Sequence, residues 1–216
     1  MEGASLIGSI DVMAREATLF AAIWFLAGGV DDLLVDLVYM GQRVRGWLRG
    51  AAPEALPETV PDGRIAVFVA AWDESAVIGN MLRTALDRFD HPDYCIYVGA
   101  YPNDPATIGL VAEIAASDAR VRLVIGSSPG PTTKADCLNS LWRALLRDEA
   151  AEGQACAVML HDAEDVVHAL ELRIVANALA RFEAVQLPVW PLPDPKSRLV
   201  SGHYCDEFAE AHWSLA

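Results

Sequence analysis

Apolar and polar positions follow two different periods along this chain, and together they predict an α/β domain. Short runs of β-branched and aromatic residues predict five strands, over 64–71, 94–100, 121–125, 155–161 and 185–189. Apolar residues three and four apart predict intervening helices over 74–89, 105–116, 134–147 and 169–182. The spacing is that of βαβ units, so we expect right-handed crossovers and a mostly parallel, Rossmann-like sheet with flanking helices. The first run lacks polar alternation, which indicates a strand covered on both faces.

The N-terminal region, residues 1–50, has a different pattern. Residues 17–30 are uncharged, and after Asp31 and Asp32 the apolar character resumes as far as Gly41. A helix needs about 20 mostly apolar residues to cross a bilayer, so this region predicts a hydrophobic helix that spans the membrane or lies in its interface. The alternative is an amphipathic helix that packs on the folded domain.

Charges beside this helix predict its orientation. Arg43, Arg45 and Arg49 follow the apolar stretch without opposing acids. Because positive flanks stay on the cytoplasmic side, the rest of the chain is expected there. Residues 51–63 contain three prolines and no apolar period, so they predict a stiff linker before a domain over 64–216.

Composition limits the function. The chain has 216 residues, of which 53% are apolar, and a formal net charge of −14. It is therefore globular, and its charge argues against binding a nucleic-acid backbone. Its four cysteines include no CxxC pair, which indicates reduced thiols in a reducing compartment.

The predicted strand ends carry the candidate chemistry, because ligands of such sheets bind at the carboxyl ends of the strands. The first strand leads into Asp73 and Glu74, the second into a segment that contains Asp104, and the third into a loop rich in glycine, serine and threonine that ends at Lys134. A lysine that opens a helix opposes the helix dipole, and an anion such as a diphosphate would relieve that cost.

The fourth strand ends in His161-Asp162-Ala163-Glu164-Asp165. In extended chain, residues two apart project to the same side, so Asp162 and Glu164 can present two carboxylates to one divalent cation. Such oxygen ligands suit Mg²⁺ or Mn²⁺, with a diphosphate in the remaining positions. The structural alternative is that Asp162 and Asp165 only cap the next helix, and that His161 is a wall residue.

These segments together resemble a known family. VFVAAWDESAVI, YVGAYPNDPAT, GPTTKADCLN, VMLHDAEDVVHALEL and VQLPV occur in the order and spacing of family 2 inverting glycosyltransferases, which have the GT-A nucleotide-sugar-binding fold. With LLVDLVYMGQRVR and SGHYCDEFAEAH, the chain is most similar to the bacterial inner-membrane glycosyltransferases of the phage adsorption protein B type. The resemblance covers about residues 17–212.

The resemblance implies a membrane-attached enzyme with a cytoplasmic catalytic domain that moves a sugar from a nucleotide-diphosphate donor to a growing glycan. It places Asp73 and Glu74 at the nucleoside and Lys134 in the nucleotide pocket. Asp162 and Glu164 match the D-x-D metal motif, with Asp162 also at the donor. Gln186 matches a polar position on the acceptor side.

Two departures qualify this reading. Ala100 stands where the family commonly has an aspartate that reads the base, so the nucleotide stays open. Asp104 is the only acid left in that segment, and it is placed with the residues that bind the nucleotide sugar. Inverting transfer needs a general base, which in this family is an acidic pair downstream of the metal motif. Asp206 and Glu207 are the only such pair here, on a predicted amphipathic helix. The sequence therefore looks like an incomplete GT-A domain, truncated at its C-terminus.

Two other functions remain open on the sequence alone. A non-catalytic nucleotide-binding or interaction module would use the same pocket without turnover. A nucleotidyltransferase would use the same metal and phosphate chemistry, but it usually has a basic, glycine-rich loop after the first strand, where this chain is acidic.

Overall fold

A computed structural model describes residues 2–49 and 63–213, in two compact units. The central unit spans Ala55–Val185, and the terminal unit combines Met1–Glu54 with Gln186–Ala216. Of the predicted linker, residues 51–62 lie outside the described ranges. The terminal unit contains α1 (Glu2–Arg49) and α6 (Arg198–Trp213). The central unit contains β1 (Arg64–Ala70), α2 (Ile78–Arg88), β2 (Tyr94–Ala100), α3 (Pro105–Ser117), β3 (Val121–Ile125), α4 (Lys134–Glu152), β4 (Ala155–His161) and α5 (Glu171–Leu179).

The sheet is parallel with the order β3-β2-β1-β4, which confirms the predicted fold class. The chain moves outward from β1 to β3 and then returns to the other side of β1. The strand order therefore reverses between β1 and β4. In sheets of this kind, that reversal opens the crevice where ligands bind.

Side chains of β1 alternate between two cores, because successive residues of a strand point to opposite faces. Ile65, Val67 and Val69 pack with the apolar faces of α2, α3 and α5. Ala66 and Phe68 pack with Leu141 and neighbouring residues of α4 on the other face. β1 is thus covered on both faces, as its sequence predicted, and its carboxyl end is held rigidly.

Two predicted elements differ from the structure. Residues 185–189 do not form the expected fifth strand, since the segment QLPVWPLPDP is rich in prolines that lack the N–H a ladder requires. The helix that was predicted over 74–89 corresponds to α2, which begins at Ile78. Residues 75–77 form a separate turn, in which the N–H of Val77 donates to the carbonyl of Glu74 at 3.1 Å, and Val77 has a φ of −122°, outside the helical range.

The predicted N-terminal hydrophobic helix is confirmed as α1. Over Gly8–Leu48 it is long and apolar enough to cross a membrane, and large apolar side chains such as Phe20, Trp24 and Phe25 are exposed along it. Asp31, Asp32 and Asp36 interrupt this apolar surface.

Candidate functional site

A cleft of about 370 Å³ lies where the strand order reverses, at the carboxyl ends of β1 and β4. Four of the residues predicted to form the site line it: Glu74, Lys134, Asp162 and Glu164. Lys134 is the single cationic residue among the residues that line this cleft. The fold thus brings together charges that are separated by up to 90 positions in the sequence.

The turn after β1 is fixed by a buried carboxylate. Asp104, 7% exposed, accepts hydrogen bonds from the N–H of Asp73 at 2.8 Å and from the N–H of Thr107 at 3.2 Å, as the N-cap of α3. Burial would raise the pKa of Asp104, but these hydrogen bonds outweigh it and lower the pKa. Asp104 therefore holds Asp73 in its left-handed conformation, at a φ of +58°, and the role of Asp104 in nucleotide binding stays a prediction.

Asp162 and Glu164 are exposed on the turn after β4, whereas Ala163 between them is buried in the core. Lys134 donates a hydrogen bond from Nζ to Oδ1 of Asp162, and both side chains are 55% exposed. Burial and then the charges of Glu164, Asp73 and Asp162 raise the pKa of Glu74. The cleft is therefore acidic apart from Lys134, and it attracts cations.

Asp162 and Glu164 can bind a divalent ion only together with oxygen atoms of a ligand, which complete the coordination of the ion. Among residues 2–49 and 63–213, no group of three or more His, Cys, Asp or Glu side chains is placed to hold a metal ion. Mg²⁺ is commonly bound by one or two carboxylates together with substrate phosphates. Asp162 and Glu164 supply such a pair beside a lysine suited to a phosphate.

The loop between β3 and α4 is pinned to the strand ends by polar and aromatic contacts. Asn103 makes two hydrogen bonds to the backbone of Gly130, from Nδ2 to the carbonyl at 2.8 Å and to Oδ1 from the N–H at 2.7 Å. The hydroxyls of Tyr101 and Thr132 are 3.0 Å apart. Trp72 meets Tyr101 edge to face, with ring centroids 5.2 Å apart. These contacts determine where Lys134 enters the cleft.

Gly130 leaves no room for a side chain in this loop. A Cβ there would lie 2.6 Å from the ring of Trp72 and 2.8 Å from that of Tyr101. We expect Gly130→Ala to lower the free energy of unfolding by about 1–3 kcal/mol, because overpacking displaces the rings or the loop. Urea unfolding measures this change. Gly126→Ala is the matched control, since its Cβ would meet only carbonyl oxygens at 3.6 Å or more; equal losses in both variants would contradict the assignment.

His161 links the turn after β4 to α5. Its side chain is buried, with Nδ1 2.8 Å from Oδ2 of Asp165 and Nε2 3.3 Å from Oε1 of Glu171. Burial lowers the pKa of His161, but Asp165 and Glu171 outweigh it and raise the pKa to about 9. His161 is therefore a charged link between two carboxylates.

This link predicts a loss of stability at alkaline pH. The folded pKa lies above the unfolded value, so the contribution is complete below about pH 6.5 and is lost as the pH rises through about 9. We expect a decrease in the free energy of unfolding on the order of 2 kcal/mol, discounted because Asp165 is partly exposed. Urea unfolding without added metal between pH 6 and pH 10 measures it. A His161→Gln variant with the same alkaline decrease would contradict the assignment.

The similarity of this chain to known proteins identifies its family. A family profile described as "Glycosyltransferase like family 2" matches residues 61–216. The chain belongs to this family of glycosyltransferases. Two curated relatives are each 38% identical in an alignment of 205 positions that covers 91% of this chain. They are the bacteriophage adsorption protein B of Escherichia coli strain K12 and the bacteriophage N4 adsorption protein B of Escherichia coli O157:H7.

The predicted similarity to phage adsorption protein B is thus confirmed, and the chain spans 27% of the length of these relatives. Among solved structures, a mannosyltransferase from Pyrobaculum calidifontis, in complex with GDP-Man and Mn²⁺, matches with a TM-score of 0.47 and 18% identity. That match covers 79% of this chain and 48% of the other.

The remaining predicted site residues of this family 2 glycosyltransferase lie in the terminal unit. Gln186 begins the C-terminal part of that unit. Asp206 and Glu207 are exposed on α6, and Glu207 lies 3.5 Å from His203. Their roles at the acceptor side and as general base stay predictions.

Sequence reasoning gave no role to Trp72 and Asn103, and it gave His161 and Asp165 only as a wall residue and a helix cap. The position of an aromatic residue two places after the end of β1 was an available signal for Trp72, because strand ends of this fold line the crevice. The bonds of Asn103 and of His161 depend on tertiary contacts that no local pattern reports.

Proposed function

We propose that the chain binds a nucleotide-diphosphate sugar together with Mg²⁺ or Mn²⁺ and serves as the donor-binding part of an inverting glycosyltransferase. The observation that carries this proposal is one acidic cleft, at the reversal of strand order, in which Glu74, Asp162 and Glu164 lie around Lys134, the one cationic side chain among the residues that line it. Family membership favours sugar transfer over the nucleotidyltransferase alternative.

Each side chain has a distinct task in this proposal. Asp162 and Glu164 hold the ion, and Lys134 exchanges its bond with Asp162 for one with a donor phosphate. Glu74 and the turn at Asp73 bind the nucleoside, beside the ring of Trp72. When bound, the divalent ion supplies positive charge that stabilises the departing diphosphate.

Deprotonation of the acceptor hydroxyl requires a carboxylate near the reacting carbon of the sugar. Asp206 and Glu207 are the candidates downstream of the metal-binding pair, and Gln186 is the candidate on the acceptor side. The complete activity, in which a glycan or exopolysaccharide is extended, is proposed for the longer protein that the relatives represent.

We further propose that α1 anchors the chain in the bacterial inner membrane with the catalytic domain in the cytoplasm. At 1.5 Å per residue, a helix of this size is about 72 Å long, well above the hydrocarbon thickness of about 30 Å. The arginines at its C-terminal end would then lie at the cytoplasmic surface.

Calorimetry on the full chain in detergent tests donor binding. We expect UDP or GDP to bind when Mn²⁺ is present and to lose most of its affinity when EDTA is added. Because Ala100 leaves the identity of the nucleotide base open, comparison of the two nucleotides shows which base the chain prefers. Binding that ignores Mn²⁺, or no binding of either nucleotide, would contradict the proposal. Transfer of labelled sugar from the preferred donor separates an enzyme from a non-catalytic module.

A further inference from the structure

The carboxylates proposed to hold the ion lie on a turn that is closed by a third carboxylate. Asp165 accepts a hydrogen bond at Oδ2 from the N–H of Asp162 at 2.9 Å, and the same oxygen lies 2.8 Å from Nδ1 of His161. The N–H of Asp165 also donates to the carbonyl of Asp162 at 3.3 Å. These bonds fix the backbone of the turn from both sides of Glu164.

The core determines where Asp165 lies, through His161. His161 is 8% exposed at the end of β4 and packs against Phe89, with ring centroids 6.3 Å apart. Its second nitrogen faces Glu171 in the first turn of α5. The imidazole therefore has little rotational freedom, and it holds the carboxylate of Asp165 in a fixed place relative to β4 and α5.

Asp162 and Glu164 are both exposed, in contrast to the buried imidazole of His161. Asp162 is 55% exposed, and its bond to Lys134 is an exposed pair of the kind that contributes little to stability. Ion affinity then depends on how well the backbone already holds both carboxylates in place, because ordering them on binding costs conformational entropy.

We infer that Asp165, held by His161, is a positioning residue that keeps Asp162 and Glu164 in place for the divalent ion of the donor complex. This inference rests on the proposed function and adds a residue to it. In metal sites generally, loss of a residue that orients a ligand lowers metal affinity about 10–100-fold.

Glu171 supplies a matched control. Asp165 and Glu171 both lie beside His161, so loss of either carboxylate weakens the same three-residue link between the turn after β4 and α5. Only Asp165 also bonds the N–H of Asp162. A purely structural role of the link therefore predicts equal effects of the two changes on ion binding, whereas positioning predicts unequal effects.

The experiment measures Mn²⁺ affinity by electron paramagnetic resonance, with saturating UDP or GDP, together with thermal unfolding. We expect Asp165→Ala to weaken Mn²⁺ binding about tenfold or more, Asp165→Asn to recover part of it through its remaining acceptor oxygen, and Glu171→Gln to bind as the wild type does. Both Asp165→Ala and Glu171→Gln should lower the melting temperature.

Amide hydrogen exchange provides a readout without ligand. The N–H of Asp162 should lose protection in Asp165→Ala and keep it in Glu171→Gln. Wild-type affinity in Asp165→Ala, or equal weakening in Glu171→Gln, would overturn the inference and leave the proposed function standing. A wild-type chain that binds no Mn²⁺ with either nucleotide would overturn both.

Discussion

Replacement of Asp162 by asparagine should abolish Mn²⁺-dependent nucleotide binding while the fold remains intact. Asp162 faces the cleft beside Glu164, and an amide is a much weaker ligand for a hard cation than a carboxylate. Loss of residues that only orient a ligand already costs about 10–100-fold in metal affinity, so loss of the ligand charge itself should cost more than about 100-fold. Glu164→Gln should have the same direction of effect.

Calorimetric titration of UDP or GDP in the presence of Mn²⁺ measures this loss. Asp136→Asn is the control, because Asp136 is an exposed aspartate of α4 that does not line the cleft. It lines a neighbouring groove, which also contains Gly126, Ser127 and Ser128. The melting temperatures of Asp162→Asn and the wild type should agree, since Asp162 is half exposed and its partner Lys134 is too. Nucleotide affinity that is unchanged in Asp162→Asn would remove the basis of the proposed function.

Local patterns were sufficient for most of the fold because the strands here are either buried on both faces or bounded by clear turn residues. β2 is buried at every position, and β1 at all but its two ends, so their uninterrupted apolar runs identify them. The segment around Val189 was misleading, because its apolar residues favour a strand while its prolines remove the N–H groups that pairing requires.

That Glu74, Asp162 and Glu164 line one cleft could be predicted from the strand ends, whereas their binding roles stay predictions. Asp162 and Glu164 follow β4, and Glu74 follows β1, so a parallel sheet with these strands adjacent necessarily brings them together. The hydrogen bonds of Asp104 were not predictable in this way. Its carboxylate accepts from the backbone N–H groups of Asp73 and Thr107, and the bond to Asp73 joins the segments that follow two different strands.

Lys134 leads to a prediction with two opposite effects. Its ammonium donates a hydrogen bond to Asp162, so it competes with a cation for that carboxylate. Lys134→Met should therefore raise the affinity for Mn²⁺ alone. The same change should lower the affinity for UDP or GDP with Mn²⁺ about tenfold or more, because a charge-assisted hydrogen bond to phosphate contributes about 1.5–3 kcal/mol.

Arg143→Met separates this competition from a general effect of charge. Arg143 lies on the same helix and lines the neighbouring groove, so its loss changes the net charge equally without freeing Asp162. We expect Arg143→Met to change both affinities by less than Lys134→Met does. Electron paramagnetic resonance of free Mn²⁺, with and without nucleotide, measures both. If the two affinities of Lys134→Met move in the same direction, Lys134 does not exchange Asp162 for phosphate, and its bond to Asp162 is only a surface ion pair.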